Sequence, residues 1–155
     1  MIDGFFISGT DTNVGKTIVS AILVEKFNGI YWKPIQCGVN KFGEKDSDII
    51  LKLCTKREVL KESFFLKKPL SPNIASKKDG IKINLSAFKS FVKKKILKKV
   101  IIEGAGGLNV PINDNQLIVD LAKMLGFPII LVCRTKIGTI NHTLSSIETI
   151  KKKKI

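Results

Sequence analysis

Gly9-Thr10-Asp11-Thr12-Asn13-Val14-Gly15-Lys16-Thr17 follows a short apolar run, Asp3-Gly4-Phe5-Phe6-Ile7-Ser8, and precedes an apolar helical stretch, Ile18 to Phe27. That order of strand, glycine-rich turn and helix decides the fold. Such a turn aims several backbone N–H groups and the positive end of a helix dipole at one point, where a triphosphate can sit. Gly9 and Gly15 let the backbone approach phosphates without a Cβ, Lys16 offers a point charge to the β and γ oxygens, and the Thr17 hydroxyl can ligate Mg²⁺. The common spacing puts four residues between the first glycine and Gly-Lys-Thr. Here five intervene, Thr10 to Val14, so the cradle is a longer variant.

Outward from the loop, apolar runs alternate with helical stretches. The runs are Ile2 to Ser8, Ile30 to Ile35, Ser63 to Leu66, Val100 to Glu103 and Pro128 to Cys133. Helices are expected from Lys16, near Asp46 to Cys54, Ser71 to Lys78 and Asn84 to Ile96, from Gln116 to Leu125 with Gly126 as its stop, and from Gly138 to Lys152. This alternation predicts right-handed crossovers and an α/β fold, a mostly parallel sheet flanked by helices. Ligands of such sheets gather at the carboxyl ends of the strands. The first strand then delivers the phosphate loop, the second Tyr31-Trp32-Lys33-Pro34-Ile35-Gln36-Cys37-Gly38, the fourth Glu103-Gly104-Ala105-Gly106-Gly107 and the fifth Cys133 to Ile140.

A length of 155 residues fits one domain, 1–155, able to bury a core of its own. Apolar residues make up 44% of the chain, with no uninterrupted run near the ~20 needed to cross a bilayer. The start lacks a basic segment ahead of a cleavable apolar stretch, so a cytosolic location with no membrane partner is expected. Cys37, Cys54 and Cys133 are odd in number, far apart and without Cys-x-x-Cys spacing. Neither a disulfide framework nor a zinc site follows, and reduced thiols are expected.

A formal charge of +14 invites a nucleic-acid reading. Its distribution argues against one. Lys89, Lys93, Lys94, Lys95, Lys98 and Lys99 decorate a helix whose Leu85, Phe88, Phe91, Val92 and Ile96 recur at three- and four-residue intervals as a buried stripe. Arginine occurs only at Arg57 and Arg134, whereas dedicated nucleic-acid surfaces add arginine forks and aromatic stacking. The lysines read as a solvated face, with no specific nucleic-acid partner.

Glu103 is the clearest acid, because an ionised side chain closing Val100-Ile101-Ile102 is costly inside a sheet and makes sense at its rim, facing a cation. With Thr17 and Asp48 it can complete a Mg²⁺ shell beside phosphate oxygens. Each has a plainer alternative: Asp48 as a helix-capping carboxylate, Glu103 as a loop acid paired with lysine. Lys33, between Trp32 and Pro34, is either a surface residue or the holder of an anionic group during phosphoryl transfer.

Together Gly9–Thr17, Tyr31–Gly38, the Asp-Ser-Asp of 46–48, PLSPNIA at 69–75, EGAGGLNVP at 103–111 and KIGTINHTL at 136–144 resemble dethiobiotin synthetase, in order and spacing along nearly the whole chain. The resemblance implies a fold of P-loop NTPase type and an ATP-dependent cyclo-ligase that makes dethiobiotin from 7,8-diaminononanoate and CO₂ in biotin biosynthesis. It implies Mg²⁺ as cofactor and ATP as co-substrate. By the same resemblance, Lys33 bridges carbamate and γ-phosphate, Lys16 is the phosphate-loop lysine and Thr12 lies near the transferred phosphate. Asn13, Val14, Gly15, Lys16, Thr17 and Ile18 border the nucleotide with Asp48, Glu103, Gly104, Ala105 and Gly106, and Thr17, Asp48 and Glu103 are the metal residues. Cys37 stands beside the diamine, where the family usually carries Ser or Thr. Gly138, Thr139, Ile140 and Asn141 reach the substrate carboxylate across a homodimer interface, and His142 is structural or interfacial.

The family continues after the last helix into strands and loops that hold adenine, roughly a quarter to a third of a usual member. The run Lys151-Lys152-Lys153-Lys154 before Ile155 suggests an adenine-rich coding stretch where a frameshift closed the reading frame. Two other functions compete: a nucleotide switch of the partitioning or metal-insertion type, whose loop usually carries a further lysine that Thr10 to Val14 lack, and a basic binding protein or inactive remnant. Neither explains Lys33-Pro34, Asp48 and Glu103 to Gly107 together.

Overall fold

Phe5-Phe6-Ile7, Ile30-Tyr31-Trp32 and Val100-Ile101-Ile102 are runs with no polar alternation apart from the Tyr31 hydroxyl, the pattern of strands covered on both faces. In the computed structural model, which describes residues 3–55, 58–92 and 98–155, they lie side by side at the centre of a sheet. Five strands form it: β1 (Gly4–Gly9), β2 (Ile30–Trp32), β4 (Glu58–Leu60), β6 (Val100–Gly107) and β7 (Ile129–Val132). Their order is β4-β2-β6-β1-β7 and every pairing is parallel. The α/β expectation therefore holds, and the central β6 carries Glu103 between the phosphate-loop strand and the Lys33 strand.

Lys33-Pro34 splits what the sequence presents as one strand, Ile30 to Ile35. Proline has no N–H to give a ladder, and the chain leaves the main sheet there. Beyond it β3 (Ile35–Cys37) pairs in parallel with β5 (Phe64–Leu66) as a separate two-stranded sheet. The Pro34 carbonyl still accepts bonds from the Ser63 and Phe64 amides. This break lifts Lys33 off the sheet and over its carboxyl edge.

Helices α1 (Lys16–Phe27), α2 (Asp46–Leu53), α3 (Pro72–Lys78), α4 (Lys89–Val92), α5 (Ile118–Leu125) and α6 (Thr139–Lys153) cover the strands. The predicted helix from Asn84 to Ile96 appears as a 3₁₀ turn, Leu85–Phe88, running into α4. Its continuation through Lys93, Lys94, Lys95 and Ile96, and the Val92 side chain, fall outside the described residues. Ile2 and Arg57 do so too. Leu85, Phe88 and Phe91 are buried as the stripe predicts. The Trp32 ring stacks on Phe91 with centroids 3.9 Å apart and meets Phe88 edge-on at 6.2 Å, contacts worth about 0.5–1.5 kcal/mol each beyond burial.

Two cores result, one on each face. Phe6, Trp32, Phe88, Phe91, Ile102, Ile118 and Leu121 belong to the larger. Ile7, Ala21, Val24, Tyr31, Ile50, Cys54 and Ile101 form the smaller, under α1 and α2. The alternation Phe6 against Ile7, Ile101 against Ile102 and Tyr31 against Trp32 is the two-residue period of a strand dealing side chains to opposite faces.

Candidate active site

The β1–α1 turn is built by backbone geometry that its residues permit. Gly15 caps α1 at φ +101° and Asn13 sits at φ +54°, left-handed conformations that glycine and asparagine adopt most readily. Gly9 is required for a different reason: a Cβ there would lie 2.6 Å from Val14 Cγ2 and 2.9 Å from the Asp11 carbonyl oxygen. Lys16 curls back over the turn, its Nζ donating to the Asp11 carbonyl at 2.8 Å. The Arg134 guanidinium, from the loop before α6, ties the turn down by pairing with Asp11 at 2.9 Å and donating to the Thr12 carbonyl at 3.0 Å.

Glu103 is only 1% exposed. The sequence predicts it at the end of its strand, yet β6 runs on to Gly107, so the carboxylate stands within the strand. Burial there is tolerated because four donors surround it, as a buried charge requires. Thr17 Oγ1 donates to Oε1 at 3.1 Å and Lys33 Nζ at 3.0 Å, while Ser20 Oγ and Tyr31 Oη donate to Oε2 at 3.2 and 2.9 Å. The ladder between β1 and β6 shifts just beyond, from Ile7 opposite Glu103 to Gly9 opposite Gly107. Gly104-Ala105-Gly106 on β6 stand against the single Ser8 on β1, a bulge that re-aims the strand end.

Lys33 is 5% exposed and joins two carboxylates, Glu103 and Asp46. Burial by itself drives its ammonium down, but the charges of Glu103 and Asp46 outweigh it and raise the pKa above the ordinary lysine value. Lys33 is therefore a fixed cation and not a base. Lys16 shows the opposite balance: burial, then the repulsion of Lys33, lowers its pKa from the ordinary value. The Tyr31 hydroxyl is held well above its usual pKa by burial and then by Glu103.

Lys16, Lys33, Asp46 and Glu103 face one cleft of about 830 Å³ above the carboxyl ends of β1, β2 and β6. Thr12, Asn13, Gly15, Lys16, Thr17, Ile18, Lys33, Cys37, Glu103, Ala105 and Gly106 all line it, whereas their positions span most of the sequence. The rest of its lining forms a largely apolar wall, Cys37, Val39, Ile49, Pro69, Leu70, Pro72 and Val110, with the polar Gln36, Asn40 and Ser71 among them. Burial pushes the Cys37 thiol up to about 11, although Lys33 pulls the other way.

Several expected residues lie elsewhere. Val14 turns its side chain toward Gly9 and not into the cleft, and the Gly104 Cα faces Phe6 and Ile118, where a Cβ would approach to 3.0 and 3.2 Å. Gly138, Thr139, Ile140 and Asn141 open α6 away from this chain's own cleft. The Asp48 Oδ2 accepts the Lys45 amide at 2.8 Å, capping α2, and Asp46 is the neighbouring acid that lines the cleft. Side chains at i and i+2 of a helix point about 200° apart, so one acid of Asp-Ser-Asp had to turn away. The capping alternative for Asp48 has a local basis, since it lies three residues after Lys45, where an acid reaches back to the cap amide. Ser20 and Tyr31 were missed as supports of Glu103, because nothing local marks a buried hydroxyl's partner.

A family model described as an AAA domain matches residues 3–155. The ATP-dependent dethiobiotin synthetase BioD of Lawsonia intracellularis is 45% identical over 154 residues, 97% of this chain and 71% of its own length. Its counterpart in Paramagnetospirillum magneticum is 38% identical over 152 residues, 98% of this chain and 72% of that protein. The one in Brucella anthropi is 37% identical over 151 residues, 97% and 70%. The chain belongs to the dethiobiotin synthetase family.

Placed in the dethiobiotin synthetase family, the cleft can be tested for a divalent ion. Among the described residues no group of three or more His, Cys, Asp and Glu side chains gathers as a metal site. Mg²⁺ does not need one, since it commonly takes one or two carboxylates and fills its octahedron with phosphate oxygens and water. Glu103 and Asp46 with the Thr17 hydroxyl are hard oxygen donors on one cleft, and the Thr17–Glu103 contact at 3.1 Å shows that the two reach a common point. The residues fit the ion.

Proposed function

We propose that this chain catalyses the ATP- and Mg²⁺-dependent closure of the dethiobiotin ring from 7,8-diaminononanoate and CO₂, a step of biotin biosynthesis. One observation carries it: the phosphate loop, two buried ammonium groups and an apolar wall share a single cleft. Asn13, Gly15, Lys16, Thr17 and Ile18 border the nucleotide from one side and Glu103 to Gly106 from the other, with Thr12 beside the phosphoryl group in transfer. The apolar wall from Cys37 to Val110 suits the methylene chain of the diamine.

In this chemistry one amine nitrogen attacks CO₂ and loses a proton, giving a carbamate. A carbamate oxygen then attacks the γ-phosphorus and ADP leaves, which yields a carbamic–phosphoric anhydride. The second amine attacks the anhydride carbon, sheds its proton, and inorganic phosphate departs as the ureido ring closes. No enzyme nucleophile is involved, so the protein's contribution is position and charge. Lys33, fixed as a cation by its carboxylates, stands ready to hold carbamate and γ-phosphate oxygens together, and Lys16 neutralises the β and γ oxygens. Thr17, Glu103 and an acid at the start of α2, Asp48 by the family resemblance or Asp46 by its place on the cleft, would hold Mg²⁺, which supplies further neutralisation of the phosphates when bound.

A second copy of the chain completes the reading. Ile137, just before α6, and Ile140, Leu144 and Ile147 within it recur at three- and four-residue steps and are exposed, Ile140 by 74% and Leu144 by 58%. The same helix start does not line its own cleft, which supports Gly138 to Asn141 reaching the substrate carboxylate of the partner.

Turnover with the diamine, bicarbonate and Mg-ATP tests the proposal. Phosphate release should require both diamine and bicarbonate. Lys33→Ala and Lys16→Ala should each lower kcat/KM about 10²–10³-fold, the usual cost of removing a charge-stabilising group. Phosphate release indifferent to the diamine, or near-native turnover in both variants, would refute it.

A further inference from the structure

Resting on the reading of the β1–α1 turn as a phosphate loop, we infer that Arg134 is a positioning residue for nucleotide binding: it neutralises Asp11, an acid built into that loop, and fixes the Thr12 carbonyl. An acid is an unfavourable neighbour for a triphosphate. The Asp11 carbonyl oxygen holds Lys16 Nζ at 2.8 Å and its Oδ1 accepts the Thr12 amide at 2.6 Å, and Thr12 and Lys16 both line the cleft. The carboxylate thus stands a few atoms from the lysine that meets phosphate, inside the screening length of about 8–10 Å at physiological salt. The Thr12 amide first, and the Arg134 charge as well, hold the Asp11 carboxyl below its ordinary range, so it is ionised when ATP arrives.

Arg134 answers that charge. A single guanidinium nitrogen reaches Asp11 Oδ2 at 2.9 Å and the Thr12 carbonyl at 3.0 Å, bridging consecutive residues of the loop. Asn13 follows directly in its left-handed conformation, so the two clamped residues set where the loop turns. Arg134 is itself held in place. Its carbonyl accepts the Thr139 hydroxyl at 2.6 Å, and two residues earlier the Val132 carbonyl accepts the Thr10 amide at 3.0 Å. Asp46 and Glu103, the acids that line the cleft, have Lys33 as their counter-ion. Arg134 serves the acid of the loop in the same way from outside, since neither it nor Asp11 lines the cavity. Both side chains are more than a third exposed, so the pair contributes little to folding and its effect belongs to binding.

The test is calorimetric titration of Mg-ATP, without diamine, into the native chain and the Arg134→Ala, Asp11→Asn and doubly substituted chains. Arg134→Ala should bind about tenfold more weakly than the native chain, and the deficit should shrink as salt is raised. Adding Asp11→Asn should recover most of the loss, because the amide keeps an acceptor for the Thr12 N–H and removes the charge. A merely structural tie would gain nothing from losing its second partner. Native affinity in Arg134→Ala, or a double variant that binds no tighter than Arg134→Ala, overturns the inference. Should Arg134→Ala fail to fold, Asp11→Asn decides: it should bind Mg-ATP at least as tightly as the native chain, and weaker binding overturns the inference. Mg-ATP binding by the native chain keeps the nucleotide reading in place under either result, and its absence takes both down together.

Discussion

The Lys33 ammonium lies 3.0 Å from Glu103 Oε1, a contact between residues 70 positions apart that joins the end of β2 to the middle of β6. It is the point on which the cleft is organised. Glu103 collects the hydroxyls of α1 and β2 on its two oxygens, and Lys33 carries the link onward to Asp46 at the start of α2.

Removing the carboxylate should therefore damage stability as well as function. Glu103→Ala leaves Lys33 with a single acid and orphans the Tyr31 and Ser20 hydroxyls, and chemical denaturation should show a loss of about 3–5 kcal/mol. Glu103→Gln keeps the shape and one acceptor oxygen, so it should fold with a smaller loss while binding Mg-ATP poorly. Equal stability of native chain and Glu103→Ala would contradict the buried network.

The phosphate loop should reject one methyl group. In Gly9→Ala the new Cβ meets Val14 Cγ2, the Asp11 carbonyl and, at 3.2 Å, Lys16 Nζ. Calorimetric titration should show ATP affinity reduced, with a stability cost of about 1–3 kcal/mol from overpacking.

A charge on the exposed face of α6 should separate the two copies of the proposed dimer. Ile140→Asp is expected to leave the melting temperature of the fold nearly unchanged, since surface substitutions rarely exceed about 0.5 kcal/mol, and to shift sedimentation from dimer toward monomer. Turnover should fall with dissociation and recover as protein concentration rises.

The Cys37 thiol should resist alkylation near neutral pH. Burial raises it to about 11, so at pH 8 only about one molecule in a thousand carries the thiolate. Labelling of Cys37, located by peptide mass, should quicken as pH rises toward 11 and slow when the diamine occupies the apolar wall. The linked stability has a definite sign: a folded-state value above the unfolded one contributes fully below the ordinary thiol range and is lost as pH climbs through the folded value.

The lysine-rich surface shows how much of the chemistry is pairing. Lys98 meets Glu58, Lys77 meets Asp114, Lys52 meets Glu44 and Lys153 meets Asp120. Exposed pairs like these contribute little each, about 0–1 kcal/mol. They disperse the positive charge over the surface between acids.

Local sequence by itself determined the strand–turn–helix of Gly9 to Thr17, the alternation that makes a parallel sheet, and the family, because glycine placement and apolar period act over a few residues. Only the tertiary structure decided that Lys33-Pro34 breaks a strand in two, that Glu103 is buried within β6 among Thr17, Ser20, Tyr31 and Lys33, and that Asp46 faces the cleft while Asp48 caps a helix. The physical reason is common to all three. A charged side chain's place depends on which distant groups supply its counter-charge and hydrogen bonds once water is excluded, and no pattern within a single segment carries that information.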